Sequence, residues 1–162
     1  MKISSVRHIF LALALPVTVS LGACSAPPAV QQLEKAPELA PCPPSPNCVS
    51  SLSRDDSQYV PAFTANTADD WQRLQSLLLS SPRSYPLARA DHYLHVEVRS
   101  ALLRFRDDVE LRYSPEQQRI DVRSASRLGH YDFGVNRQRV DALRARYEQP
   151  PPPSPRILLF CF

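Results

Sequence analysis

The prolines of this chain are concentrated in its two flanks, and this limits the part that can form a packed domain. Of the 17 prolines in 162 residues, only Pro82, Pro86 and Pro115 lie between residues 62 and 149. Proline interrupts helices and central strands because its ring fixes φ and removes a hydrogen-bond donor. We therefore expect a single folded domain over residues 42–149.

The first residues have the pattern of an export signal. Lys2 and Arg7 supply positive charge, and the apolar run 9–21 is too short to span a bilayer comfortably. The run ends in Leu-Gly-Ala-Cys, which resembles the bacterial lipobox. That resemblance implies a signal peptide over residues 1–23, cleavage before Cys24, and acylation of Cys24, with palmitate among the attached chains. The alternative is a soluble secreted protein in which this cysteine has no special role.

Proline-rich segments flank the expected domain. Residues 24–41 are predicted to be a lipidated, flexible tether. The 17 residues of the tether after Cys24 span at most ~55 Å when extended. Residues 150–162 are predicted to be a proline-rich tail. Because Ser25 rather than aspartate follows Cys24, the lipoprotein resemblance implies sorting to the outer membrane. The expected location is the cell envelope, at the periplasmic face of that membrane.

The mature chain is nearly neutral. Two of the 19 basic residues and none of the 16 acidic residues lie in the predicted signal, which leaves a formal charge of +1. An exported chain of this charge lacks the concentrated positive field that nucleic-acid binding requires. Nucleic acid is therefore excluded as a partner.

Three cysteines remain once Cys24 carries lipid. Cys42 and Cys48 are the closest pair, and an oxidising compartment favours a small disulfide loop between them. Their five-residue spacer is wider than the usual spacing of zinc ligands, so no metal site is predicted. Cys161 is left unpaired.

Two helices are expected at the ends of the domain. Thr67 and Asp70 match the capping pattern of a helix over residues 68–80, and Pro82 follows its end. A second helix is expected over residues 135–148, which have apolar residues at helical spacing.

Between the helices, apolar and polar residues alternate, as in half-buried strands. The four predicted strands are Tyr85–Ala90, Tyr93–Ser100, Leu103–Tyr113 and Arg119–Arg123, with a hairpin connection over residues 114–118. The order α-β-β-β-β-α predicts an α+β two-layer sandwich, with an antiparallel sheet of about four strands and both helices on one face. The other face is expected to meet water.

That open face is predicted to carry charges of alternating sign. They belong to Glu97, Arg99, Arg104, Arg106, Asp108, Glu110, Arg112, Arg119, Asp121 and Arg123. The favoured interpretation is a solvated face with cross-strand ion pairs; the alternative is a docking face for a protein or for anionic groups. Asp107 falls instead among the apolar positions, where it predicts a bulge or a buried carboxylate paired with Arg106 or Arg127.

The segment from residue 123 to residue 137 holds the candidate binding residues, and its glycines are expected to have positive φ. These candidates are Ser124, Ser126, Arg127, Gly129, Asp132, Gly134, Asn136 and Arg137. One hypothesis is a small anion pocket in which Arg127 lies close to the start of the second helix. Asp132 or Gly134 is expected to begin that helix. The alternative is that the serines and Asn136 pin the connection through bonds to the backbone.

No catalytic residue or cofactor is predicted, because the chain lacks a serine-hydrolase elbow, a metalloprotease motif and a glycine-rich phosphate loop. A polar centre near Ser126, His130 and Asp132 leaves a small periplasmic hydrolase or transferase as the alternative function.

Three segments together resemble a known family. Residues 42–51, 105–110 and 123–137 are similar to the domain of unknown function 1499, and the similarity extends from Cys42 to about Tyr147. The resemblance implies no activity, but bacterial members are often exported or lipid-anchored. The predicted function is a lipid-anchored envelope protein acting as a non-enzymatic binding or assembly module. Its expected partners are the membrane, through its lipid, and a protein or small anionic ligand.

Overall fold

A computed structural model describes residues 29–102 and 104–150, and its fold is α+β, as predicted. The two helices are α1 (Ala68–Leu79) and α2 (Val135–Glu148). The strands are β1 (Gln31–Gln32), β2 (Cys48–Ser50), β3 (Phe63–Thr64), β4 (Ser84–Ala90), β5 (Tyr93–Arg99), β6 (Arg106–Ser114) and β7 (Arg119–Ser126). The predicted signal peptide, Cys24 and Cys161 lie outside the described residues.

The sheet is larger than the predicted sheet of about four strands. Its seven strands have the order β1-β4-β5-β6-β7-β2, and β3 also pairs with β7. The four predicted strands form the antiparallel series β4 to β7, whereas β1 pairs parallel to β4 and makes the sheet mixed. The three additional strands contain only two or three residues each. Such short segments show no alternation that could reveal them in the sequence.

The third predicted strand begins later than expected. β6 starts at Arg106, and Phe105 is exposed rather than part of the apolar face. The loop before it is closed by the amide of Ser100, which donates to the carbonyl of Phe105 at 2.9 Å. The predicted start at Leu103 was therefore wrong, because apolar alternation continued into the loop. Leu103 itself lies outside the described residues.

The helices have the expected boundaries. α1 begins after Thr67, whose hydroxyl accepts from the amide of Asp70 while the carboxylate of Asp70 accepts from the amide of Thr67. This reciprocal capping satisfies two backbone donors at the start of the helix. Both helices contribute to one apolar core with the sheet. Its fully buried members include Phe63, Leu74, Leu78, Leu94, Val96, Leu111, Ile120, Val122 and Val140.

The opposite sheet face is only partly open to water. Leu33 and Leu39 pack with Ala88 and Tyr93 in a second apolar cluster. The amide of Leu33 also donates to the carbonyl of Arg89 at 2.7 Å. The segment from Gln31 onward thus lies on the domain, which differs from the prediction of a flexible tether up to residue 41. Burial of Leu39 and packing of Leu33 against this cluster contribute to holding the segment there.

Candidate functional site

The disulfide loop lies beside the segment that holds the candidate residues. Cys42 and Cys48 are bonded, which confirms the predicted pairing. Cys48 is the first residue of β2 and lies opposite Ala125 of β7. The neighbouring Asn47 donates its side-chain amide to the carbonyl of Gly129. The carbonyl of Asn47 accepts from the amide of Ser126 at 2.9 Å. The disulfide therefore holds a loop whose backbone completes the end of the sheet.

Asn136 is the centre of a buried polar cluster. Its side chain is fully buried in the first turn of α2. Its Oδ1 accepts from the hydroxyl of Ser124 at 2.6 Å. Its Nδ2 donates to the hydroxyl of Ser126 at 3.0 Å and to the carbonyl of Asn47 at 3.1 Å. Its Nδ2 also donates to the carboxylate of Asp132 at 2.9 Å. Four of the predicted candidates thus come together, but their polar atoms bond to one another and to the disulfide loop.

Asp132 caps the start of α2. Its carboxylate accepts from the amides of Gly134 and Asn136, both at 2.9 Å. Burial raises the pKa of Asp132, but these backbone donors outweigh it and leave the pKa below its ordinary value. Gly134 precedes the helix with φ of 78° and Gly129 has φ of 90°, as predicted for the two glycines. A carboxylate of the chain itself occupies the helix N-terminus that was predicted to favour an anion.

Asp107 forms an ion pair with Arg139, a residue that sequence reasoning missed. Asp107 is buried, as its position among apolar residues predicted, and Arg139 donates to its carboxylate at 2.5 Å. The predicted partners Arg106 and Arg127 were wrong. Arg139 also donates to Oδ1 of Asn136 at 2.6 Å. The only indication of Arg139 in the sequence was that it follows Asn136 by three residues. This spacing places both side chains on the same side of α2.

Arg127 lies on the opposite side of the sheet from the Asn136 cluster. Its guanidinium donates twice to Asp108, at 2.9 and 2.7 Å, and once to Glu97 at 2.7 Å. Burial raises the pKa of Asp108, but the contacts with Arg127 and His95 outweigh it and hold the pKa well below its usual range. Arg127 continues the alternation of β7, so it points away from Ser124 and Ser126. The predicted pocket containing both the serines and Arg127 does not form.

The last candidates have structural contacts. Arg137 donates to the carbonyls of Tyr59 at 2.9 Å and Ser57 at 2.8 Å, which fastens α2 to the preceding loop. His130 is exposed, with its ring edge-on to that of Tyr131. Within the described part of the chain, His130 forms no hydrogen bond to Ser126.

The charged sheet face is largely paired internally. Arg123 contacts Glu110 at 2.9 Å, and Arg99 contacts Glu97 at 2.6 Å. Other contacts of this face are Arg119 with Asp121, Arg112 with Glu38 at 2.7 Å, and His95 with Asp108 at 2.7 Å. Arg104 lies in the exposed loop before β6 instead of on a strand. These contacts favour the interpretation of the face as an ion-paired surface.

A groove that sequence reasoning missed runs between the two helices and the end of β5. Its volume is about 430 Å³. Its apolar lining comes from Leu78, Val98, Val135, Ala142 and Leu143. Its basic lining comes from Arg83, Arg99, Arg139 and Arg146. Neither aspartate nor glutamate is among its lining residues within the described chain. The lining residues are too far apart in the sequence to form a recognisable motif.

The family is shown by a match to the model described as Protein of unknown function (DUF1499), which covers residues 38–146. The chain belongs to the DUF1499 family. The match includes the disulfide loop, both helices almost completely, and the strands β2 to β7. No curated protein and no solved structure matches the chain.

A cluster of exposed apolar side chains lies beside the groove of this DUF1499 domain. We call it the apolar tip, and it consists of Leu102, Phe105, Leu128, Tyr131 and Phe133. Four of them, all except Leu102, surround a cavity of about 250 Å³. That cavity shares the lining residues Ser100 and Val135 with the groove. The groove and the apolar tip are therefore neighbours at one end of the sheet.

Two kinds of feature are absent from the described part of the DUF1499 domain. Over residues 29–102 and 104–150, no three His, Cys, Asp or Glu side chains are grouped so as to hold a metal ion. In the same ranges, neither helix is long and apolar enough to cross a bilayer.

Proposed function

We propose that this DUF1499 protein is a lipid-anchored protein of the cell envelope, facing the periplasm from the outer membrane. Its domain acts as a non-enzymatic binding module for an anionic amphiphile. The observation that carries the binding proposal is the groove, whose floor is apolar and whose charged lining residues are all arginines. The lipobox-like segment ending at Cys24 supports the anchoring.

The groove suits a molecule with an acyl chain and an acidic head. Its volume of about 430 Å³ lies in the range of small-molecule pockets. Leu78, Val98 and Leu143 provide apolar contact for an acyl chain. Arginine binds carboxylate and phosphate groups through paired N–H donors, so the guanidinium groups of Arg83 and Arg146 suit either head group.

Two of the four arginines supply uncompensated charge. Arg139 is paired with Asp107, and Arg99 is paired with Glu97. Arg83 donates to the carbonyl of Arg99 at 3.0 Å. Arg146 donates to the hydroxyls of Ser81 at 2.9 Å and Ser80 at 3.0 Å and to the carbonyl of Leu77 at 3.1 Å. Neither has a carboxylate partner among the described residues. An anion would therefore gain two charge-assisted contacts without displacing an existing ion pair.

The polar centre around Ser126 argues against the alternative hydrolase or transferase. A serine nucleophile needs an adjacent base to accept its proton. The hydroxyl of Ser126 instead accepts from the amide of Asn136, and Asp132 is occupied in capping α2. Contacts of this kind hold the end of β7 and the start of α2 together.

The binding proposal is tested with a fluorescent fatty acid bound to the full mature chain and displaced by unlabelled ligands. One arm uses a free fatty acid and the other uses phosphatidylglycerol, which distinguishes the two sources of an acidic amphiphile. Ala142→Phe places a ring in the groove and should weaken binding by at least about tenfold. Ala145→Phe makes the same change at an exposed position of α2 outside the groove and should leave binding intact.

The contribution of the Arg83 charge to ligand binding is tested separately with Arg83→Asn. Asparagine is chosen because it tolerates the positive φ of 59° at this position. The variant should weaken binding of the acid but not of its neutral methyl ester. Equal binding by Ala142→Phe and Ala145→Phe would contradict a ligand site in the groove.

The anchoring proposal is tested with Cys24→Ala and fractionation of the cells. The variant should leave the membrane fraction, because its acyl chains provide the attachment. A variant that stays in that fraction would contradict the lipid anchor.

A further inference from the structure

We propose that the apolar tip rests on the bilayer that holds the lipid anchor and inserts its side chains among anionic phospholipids. This inference rests on the proposed function, because it takes Cys24 as the point of attachment. It assigns an occupant to an apolar surface that is exposed within residues 29–102 and 104–150.

The apolar tip is built from two neighbouring loops, and four of its five side chains surround one cavity. The exposed fractions of Phe133, Leu102 and Leu128 are 91%, 89% and 76%. The two loops are adjacent because β6 pairs with both β5 and β7, and the amide of Arg127 donates to the carbonyl of Arg106 at 3.0 Å. Clustered exposed apolar surface of this kind marks an interaction site in a soluble domain.

The charges near the apolar tip favour an anionic surface. Arg104 has no ion pair within the described residues, and Arg106 lies 3.9 Å from its nearest carboxylate, that of Glu97. The two nearby acidic groups are already engaged, since Asp107 pairs with Arg139 and Asp132 caps α2. Exposed apolar side chains beside exposed arginines are typical of segments that lie in the interface of an anionic bilayer.

The N-terminal chain enters the described structure from the same end of the sheet. β1 runs parallel to β4, with Gln31 opposite Ala88 and Gln32 opposite Arg89. Ser84, the first residue of β4, lies opposite Val98, near the loop that carries the apolar tip. Followed backward from Gln31, the chain therefore points toward the tip end of the sheet.

The length of the intervening chain is sufficient. Cys24 precedes Gln31 by seven residues, which can span at most about 24 Å. The part of the sheet between Ala88 and Ser84 is about 13 Å long. An acylated Cys24 can thus reach the bilayer in which the apolar tip would lie. In this orientation the neighbouring groove opens close to the lipids that would supply its ligand.

Insertion is measured with Phe133→Trp in the full, lipidated protein reconstituted into vesicles of phosphatidylethanolamine and phosphatidylglycerol. The acyl chains of these lipids carry bromine, which quenches tryptophan only at close contact. The native Trp71 is buried and gives the background in the unsubstituted protein. Leu52→Trp is the matched control, because Leu52 is exposed and its neighbour Ser51 bonds to Val122 in the middle of β7.

Brominated lipid should reduce the added emission of Phe133→Trp by about twofold, as expected for a side chain in the interface, and leave that of Leu52→Trp unchanged. Equal quenching of the two variants, or none in either, would overturn the inference. A protein partner would be assigned to the tip instead if position 133 showed no quenching and formed a cross-link to a protein in intact cells. Intact mass shows whether Cys24 is acylated, so a failed anchor is distinguished from a failed insertion.

Discussion

The side-chain amide of Asn136 in α2 donates to the backbone carbonyl of Asn47, which lies 89 residues earlier in the chain, at 3.1 Å. The same side chain bonds to Ser124 and Ser126 of β7. One buried residue therefore joins the disulfide loop, the last strand and the last helix.

Asn136→Ala should destabilise the domain by about 3 kcal/mol, because it leaves several buried polar groups without partners. Urea unfolding followed by circular dichroism measures this loss. Gln138→Ala is the control, since Gln138 is exposed in the same helix. A loss below about 1 kcal/mol, the worth of one ordinary hydrogen bond, would show that Asn136 does not hold these elements together.

Asp107→Ala should cost about 3 kcal/mol, because it leaves the guanidinium of Arg139 partly buried without its carboxylate. The double variant Asp107→Leu with Arg139→Met should recover much of the loss, since apolar side chains of similar size can replace a buried ion pair. The free energies of unfolding of the single and double variants test this. Strictly additive losses would contradict coupling between the two residues.

Arg127→Ala should reduce stability at neutral pH and lose its effect in acid. The pKa of Asp108 in the folded protein lies well below its unfolded value, so its stabilising contribution is complete above about pH 4 and falls as the pH decreases further. The pKa of Glu97 is also lowered: burial raises it, but Arg99 and Arg127 outweigh burial. Urea midpoints of Arg127→Ala and the unsubstituted protein should approach each other as the pH falls below about 4.

The matched control for that pH series is Arg54→Ala, since Arg54 is exposed and has no ion pair within the described residues. Its effect should be small at every pH. A difference for Arg127→Ala that persists unchanged into acid would contradict stabilisation through the two carboxylates.

Reduction of the bond between Cys42 and Cys48 should lower stability by about 2 kcal/mol, the value expected for closure of a short loop. The variant with serine at both positions should match the reduced protein. Thiol labelling after denaturation without reductant should leave both cysteines unmodified. Full labelling of both would contradict the disulfide.

Local signals were sufficient for the main elements. The capping pair Thr67 and Asp70 and the helical spacing after Gly134 predicted both helices, and alternation predicted the four long strands. These features depend on neighbours within a few residues, where backbone sterics and side-chain periodicity act directly. The positions of the two glycines with positive φ were predictable for the same reason.

The candidate site was less predictable because its partners are distant in the sequence. Grouping Ser124, Ser126 and Asn136 was correct, yet Arg127 lies on the other face because it continues the alternation of β7. The partner of Asp107 proved to be Arg139, 32 residues away on another element.

The sequence by itself determined the helices, the central strands, the disulfide pair and the family. Only the tertiary structure decided which charges pair, where the groove lies, and that the two loops of the apolar tip lie beside each other at one end of the sheet. Periodicity specifies which face a side chain occupies along its own element. It does not specify which distant element packs against that face, because that depends on the shape and charge complementarity of the whole core.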